Sequence, residues 1–258
     1  MPLPLTDIAL LFVAGMAGTF ANAAAGGGTL ITFPTILSVG VPPVLANTSN
    51  AVALWPARFF VIAQYRHELV RQRDRAIWTV TACVLGAIAG SLILLRSTDA
   101  SFLRIVPWLI LTGTLMFVFD APLSRRMKSH LHAEQPSPRL KLGASVTLFL
   151  VSVYGGYFGA GLGIMYMPVL ALSGVKDMQE LNGLKNLLTS AATTVSVVTY
   201  LIAGAVTWPA TLSMMAGGLI GGYLGGRIAR RISNVVLKRV VIGAGFAISG
   251  YYFWKIYF

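Results

Sequence analysis

Gly26-Gly27-Gly28-Thr29-Leu30-Ile31-Thr32-Phe33-Pro34 and Ala160-Gly161-Leu162-Gly163-Ile164-Met165-Tyr166-Met167-Pro168 follow one pattern: a Gly-rich turn, a short apolar stretch and a closing proline. Outward from this pair the chain goes on repeating. Leu37-Ser38-Val39-Gly40-Val41 is followed in the second copy by Leu172-Ser173-Gly174-Val175. Asn47-Thr48-Ser49-Asn50 has its counterpart in Asn182-Gly183-Leu184-Lys185-Asn186. Leu85-Gly86-Ala87-Ile88-Ala89-Gly90-Ser91 matches Ile220-Gly221-Gly222-Tyr223-Leu224-Gly225-Gly226. The offset stays at about 134 to 136 residues. A single Gly-rich match would carry little weight, but four in the same order indicate an internal duplication.

The medium in which the two copies fold follows from composition. Of 258 residues, 56% are hydrophobic and 11% charged, with a mean hydropathy of +0.74. Soluble domains carry about a quarter charged residues. The shortfall excludes an ordinary cytosolic enzyme, a disordered chain and a secreted disulfide scaffold. Several apolar runs reach spanning length, which makes the chain an all-α polytopic protein with the lipid bilayer as its solvent. The net charge is +12. Its basic residues fall in short loops between apolar runs, where the positive-inside rule accounts for them and nucleic acid is not an expected partner. The one cysteine, Cys83, can form no internal disulfide. His67, His130 and His132 lie in polar loops. His130-Leu131-His132-Ala133-Glu134 reads as a solvated loop rather than a metal site, since no further ligand accompanies it. Met1 to Thr6 lacks the basic region of a signal peptide, so the first apolar run is expected to be a retained helix.

Each half holds five apolar segments: about 5–23, 26–40, 43–65, 76–95 and 101–120, then about 142–158, 160–174, 178–202, 208–227 and 235–256. The second of each half has about 15 residues, short for a crossing and open to reading as a broken helix or a re-entrant loop. Charge decides the provisional topology. Loop 66–75, linker 121–141 and loop 227–239 are all rich in Lys and Arg, and ten crossings place all three in the cytoplasm with both termini outside. With five segments per half, the second half is inverted relative to the first. The expected organisation is a first membrane repeat over 1–120, a cytoplasmic basic linker over 121–141 and an inverted second repeat over 142–258. Such inverted-topology repeats recur in secondary transporters, with the substrate site where the repeats meet.

The polar residues inside the apolar segments suggest an anion. None of the eight acids lies deep in a segment, which argues against a cation pathway and a carboxylate proton relay. Two cations do lie inside, Arg58 and Lys185. Asn182 and Asn186 flank Lys185 at helical spacing. An ammonium and two amides suit an oxyanion, but snorkelling of Lys185 to the nearby cytoplasmic surface explains it equally well. Arg58 lies two turns before its cytoplasmic end, and its side chain is expected to reach that surface. Gly26, Gly27 and Gly28, with Gly161 and Gly163, open the short segments. A helix N-terminus offers free N–H groups and partial positive charge to an anion; tight helix packing through small residues is the competing reading. Asn47, Thr48, Ser49 and Asn50 can bind substrate or bond helix to helix. Pro34 and Pro168 can stop the short helices inside the membrane, letting the two halves converge. Pro56 is expected to kink its helix. Gly86, Gly90, Gly221, Gly222, Gly225 and Gly226 read as packing positions.

The run Ala24-Ala25-Gly26-Gly27-Gly28, Pro34, Gly40-Val41-Pro42-Pro43 and Ala46-Asn47-Thr48-Ser49-Asn50, with its second copy from Gly159 to Asn186, resembles the sulfite exporter TauE/SafE family of membrane permeases. The resemblance covers essentially the whole chain. It implies a multi-pass permease of the inner membrane for sulfite, a sulfoacetate-like sulfonate or another small sulfur anion. Members of that family commonly carry Ala-Thr-Ser after the Gly-Val-Pro turn. This chain inserts Asn47 there and puts Lys185 in the second copy. No nucleotide motif is present, so neither a cofactor nor direct ATP coupling is expected. H-E-x-x-H and G-x-S-x-G are absent as well, so the chain is not read as an enzyme. An anion channel of the same architecture and a non-transporting membrane subunit are the alternatives.

Overall fold

The computed structural model describes residues 3–24, 27–58, 73–130, 138–173, 175, 178–228 and 234–258. Ten α-helices occupy them, without a strand among the described residues. They are α1 (Leu5–Ala24), α2 (Gly28–Ser38), α3 (Pro43–Leu54), α4 (Arg73–Arg96), α5 (Asp99–His130), α6 (Pro138–Tyr157), α7 (Leu162–Leu172), α8 (Met178–Ile202), α9 (Trp208–Ile228) and α10 (Asn234–Tyr257). Every expected apolar segment contains a helix.

Several helices differ in extent from the expected segments. α3 stops at Leu54 and a single 3-10 turn, Pro56–Arg58, follows. Pro56 thus interrupts regular α-helix where a disturbance was expected, because it removes a backbone donor and its ring crowds the preceding turn; residues 59–65 of the expected segment lie outside the described residues. α5 continues through residues 121–130 of the polar linker, a stretch rich in good helix formers such as Leu, Arg, Met and Lys. The short helices α2 and α7 have 11 residues each. That is about 16 Å of rise, against an apolar core of about 30 Å.

Four helices (α1, α4, α5 and α6) are long and apolar enough to cross a bilayer by themselves. α8, α9 and α10 have the length, but glycines, hydroxyls and basic residues dilute them. In water such a surface would be a liability: Leu85, Ile93, Leu150 and Leu212 stand more than half exposed. In hydrocarbon they are the lipid-facing side. Trp208, Tyr251 and Trp254 are exposed near helix ends, where amphipathic rings suit the headgroup region.

The halves are interleaved. The first helix of each half packs along the fourth helix of the other: α1 on α9, and α6 on α4. The fifth helices, α5 and α10, pack on each other. Both long contacts are made by small residues. On α1 and α9, a side chain at Gly15 would collide with the Met214 carbonyl, and one at Gly217 or Gly221 with the carbonyl of Phe12 or Met16. On α4 and α6, Gly86 meets Phe149 and Gly90 meets Val153 in the same way. Without a hydrophobic drive between helices in lipid, backbone approach of this kind supplies the dispersion contacts that hold them. Thr19 Oγ1 also reaches the Gly218 carbonyl at 2.8 Å.

Candidate functional site

The two Gly-rich turns lie at the depth of the spanning stretch Asp99–Phe119 of α5. Gly161 sits beside Gly113, and Gly27 against Phe117 and Val241. The short helices thus begin inside the apolar layer. The backbone reason is clearest at Gly161, the N-cap of α7, with φ of 72°. That left-handed conformation suits glycine and reverses the chain between α6 and α7. Tyr154 Oη fixes the turn by donating to the Ala160 carbonyl at 2.8 Å. No side chain caps α7. The Leu162 and Gly163 amides, in its first turn, have no intrahelical acceptor.

Lys185 comes to this first turn from α8. A Cβ added to Gly163 would lie 3.7 Å from Lys185 Cδ and 3.5 Å from Thr189 Oγ1, so the Lys185 stem runs alongside Gly163. Its Nζ donates to Asn182 Oδ1 at 3.1 Å. Gly163, Asn182, Lys185 and Asn186 are all half-buried. Neither Lys185 nor Arg58 is paired with a carboxylate among the described residues. Asp7, Asp99 and Glu180 occupy the first turns of α1, α5 and α8. The Asp99 carboxylate accepts the Val44 N–H at 2.9 Å. An ammonium in an apolar layer with only a neutral amide as partner is costly and attracts an anion.

The corresponding stretch of the first half is committed differently. Asn47 Nδ2 donates to the Tyr157 carbonyl at 2.9 Å. The Thr48 hydroxyl donates to the Ala205 carbonyl. Ser49 Oγ accepts the Thr207 N–H at 2.8 Å. These three residues join α3 to the end of α6 and to the loop between α8 and α9. Asn50, 2% exposed, is left with a buried Oδ1 that has no partner. It stands three residues after Asn47, as Lys185 stands after Asn182. The first Gly-rich turn is filled by packing. A side chain on Gly27 would collide with Val241, and one on Gly28 would come within 2.5 Å of the Gly18 carbonyl. Gly26 lies outside the described residues. The structure therefore brings together Gly161, Gly163, Asn182 and Lys185, with Asn186 on the same helix. It sets Asn47, Thr48 and Ser49 apart in tertiary bonds.

Arg58 closes the 3-10 turn that follows α3. It is half-buried, and its Nε is buried without a hydrogen-bond partner. Trp55 Nε1, bonded to Thr194 Oγ1 at 2.9 Å, ties the turn to α8. Tyr166 is 0% exposed, and its hydroxyl pairs with Ser152 Oγ at 2.7 Å. Cys83 is buried within the apolar core, as expected. Neither Tyr166 nor Ser152 stands out from an apolar run in the sequence. No cluster of metal-ligating side chains occurs among the described residues.

Comparison with known proteins agrees with the architecture. Residues 10–252 match the family model described as Sulfite exporter TauE/SafE. A "Probable membrane transporter protein" of Haemophilus influenzae is 31% identical over 216 residues, covering 83% of this chain and 81% of the relative. The "Probable membrane transporter protein YfcA" of Escherichia coli is 25% identical over 217 residues, covering 83% and 77%. A "Probable membrane transporter protein ORF9" of Sinorhizobium is 27% identical over 166 residues, covering 62% and 59%. No solved structure matches the chain.

Proposed function

Because the chain belongs to the sulfite exporter TauE/SafE family of membrane transporters, we propose that it is a secondary transporter for a small sulfur-containing anion, sulfite or a sulfonate such as sulfoacetate, and not an enzyme. The observation that carries this reading is Lys185, held by Asn182 alone at the open first turn of α7. A tetrahedral oxyanion there accepts from the Lys185 ammonium, the Asn182 and Asn186 amides and the Leu162 and Gly163 N–H groups. Charge-assisted hydrogen bonds are about twice as strong as neutral ones. They gain further where water is excluded. The second half thus supplies the charge, while Asn47, Thr48 and Ser49 of the first half brace the helices around it.

The reading places the protein in the inner membrane, with basic loops in the cytoplasm and both termini outside. Residues 1–120 and 142–258 act as inverted repeats joined by the basic linker 121–141. Exchange of partners between halves, α1 on α9 and α6 on α4, supports a two-fold relation between them. Rocking of one packed group against the other exposes the site alternately to the two sides.

The test is ligand-dependent melting of the purified full chain, with sulfite, sulfate, thiosulfate, sulfonates, carboxylates and chloride compared at equal ionic strength. A ligand at a hundred times its Kd adds about 2.7 kcal/mol of stability. A selective upward shift with a sulfur anion, lost in Lys185→Ala, is the expected result. A shift with a carboxylate or a cation and none with any sulfur anion overturns the reading.

A further inference from the structure

Three consecutive residues of α3 reach across to backbone groups of the second half. Asn47 Nδ2 donates to the Tyr157 carbonyl at 2.9 Å, the Thr48 hydroxyl donates to the Ala205 carbonyl, and Ser49 Oγ accepts the Thr207 N–H at 2.8 Å. All three side chains are buried, at 2%, 0% and 0% exposure. Their partners gather at one end of the bundle. Tyr157 is the last residue of α6, and Ala205 and Thr207 belong to the loop between α8 and α9. The loop between α4 and α5 joins the same end through Asp99, which accepts the Val44 N–H, and Ser97 Oγ, 3.3 Å from Tyr157 Oη.

The repeat sets these residues opposite Asn182, Gly183 and Leu184. Glycine and leucine have no hydroxyl to give, and Asn182 accepts from Lys185. One position of the duplicated unit thus fastens α3 across the molecule, and the other faces the first turn of α7. The two lie far apart. Seventeen residues of α8 separate Lys185 from Ile202, at the start of the fastened loop, or about 25 Å of rise. The fastening is therefore too distant to touch an anion at Lys185, but it spans the end of the bundle on that side.

Its chemistry is that of a contact made to be released. The contacts of α1 on α9 and α6 on α4 are close backbone approaches at glycine, which no other partner can replace. The α3 contacts are hydrogen bonds, and water can substitute for each partner. Thr48 Oγ1 already lies 3.2 Å from the Val44 carbonyl and 3.1 Å from the Leu45 carbonyl, so it keeps an acceptor when Ala205 departs. On the other side of the contact, Ala203 and Gly204 are exposed. Gly204 takes the left-handed φ of 64° with open space around it, leaving room for the loop to move.

We propose that Asn47, Thr48 and Ser49 form the gate of the transport path on the side of the α8–α9 loop. Bonded, they close the anion site at α7 to that side; released, they open it. This rests on the transporter reading above and assigns one of its two gates. Each hydrogen bond removed shifts the balance toward the open gate by about three- to tenfold.

The experiment reads access rather than transport. The full chain carries Asn182→Cys with Cys83→Ala in sealed vesicles, and a membrane-impermeant maleimide is added to one face and then to the other. Labelling is followed by the mass of the peptide that contains position 182. With the gate intact, the introduced thiol should react from the face where α8 begins and much more slowly from the loop face. Thr48→Val with Ser49→Ala should raise the loop-face rate about tenfold or more, without raising the rate from the other face. An unchanged loop-face rate overturns the gate and leaves the transporter reading standing. So does an equal rise from both faces with a lowered Tm, the mark of a merely structural brace. Equal rates from both faces before any gate substitution overturn the gate and favour a channel. A thiol that reacts from neither face in any variant overturns alternating access together with the gate. Should the double variant fail to fold, Ser49→Cys with Thr207→Cys tests the same point: bridging the two must abolish loop-face labelling and reduction must restore it, and labelling that persists in the bridged protein overturns the gate.

Discussion

Replacing Gly163 by alanine separates the folding role of a glycine from its binding role. The added methyl would meet Thr189 Oγ1 at 3.5 Å and Lys185 Cδ at 3.7 Å, both ordinary van der Waals distances. Gly163 is helical, so alanine is no worse a backbone residue there. The expected stability change is within about 0.5 kcal/mol, or a Tm shift of about 2 °C or less for a chain of this size. Binding should respond quite differently. The methyl occupies the space between the Lys185 stem and the first-turn amides, through which an anion reaches the Gly163 N–H. Loss of one charge-assisted hydrogen bond is worth about 1.5–3 kcal/mol, about ten- to a hundredfold in Kd. Melting without ligand and titration with sulfite measure the two effects on the same preparation. An unchanged Tm with unchanged affinity would refute the role of α7 as an anion contact. A Tm drop of many degrees would refute the space at Gly163 itself.

Further outcomes follow from the same geometry. Lys185→Met should abolish the anion-dependent melting shift while leaving the unliganded protein as stable as before or more so, since an apolar residue of similar length removes a buried charge; a large fall in unliganded Tm would mean that Lys185 is structural. Ser49→Ala should lower stability by about 1–3 kcal/mol by orphaning the Thr207 N–H, with the order of anion preference unchanged in the same titrations. Gly217→Val should cost more than about 1–3 kcal/mol, because any Cβ there collides with the Phe12 backbone; melting and yield of folded protein report it, and a neutral result would contradict the α1–α9 contact.

Much of the helical layout is legible in the sequence. Hydropathy and the repeat located the ten helices of the described residues, because apolar length and duplication leave direct marks in sequence. Pro56 was legible as a disturbance of the helix. What packs around it was not: Trp55 bonds Thr194 and Ala57 lies against Gly222, both remote in sequence. The Gly-rich turns looked alike in the two halves, yet Gly27 and Gly28 are packed shut and Gly163 is open. The distinction is made by Val241, Phe117 and Gly18, which are remote in sequence. Likewise nothing local distinguishes Asn47 and Ser49, spent on the second half's backbone, from Asn182, which holds Lys185. Tyr166 was invisible because a tyrosine within an apolar run reads as core until its hydroxyl partner is seen.

The pairing of α1 with α9 also has a meaning in time. The ribosome makes about 5–20 residues per second, so roughly 200 residues separating these helices take about 10–40 seconds to appear. For that interval α1 waits with its glycine face against lipid or a temporary neighbour. Thr19, the polar group on that face, is prepared for the delay: its hydroxyl also bonds the Gly15 carbonyl of its own helix at 2.8 Å. The contact of α4 with α6 closes much earlier in synthesis. Birth order therefore sets the two halves apart: of the two glycine-lined contacts, the later to form is the one that the first helix has been awaiting since its insertion.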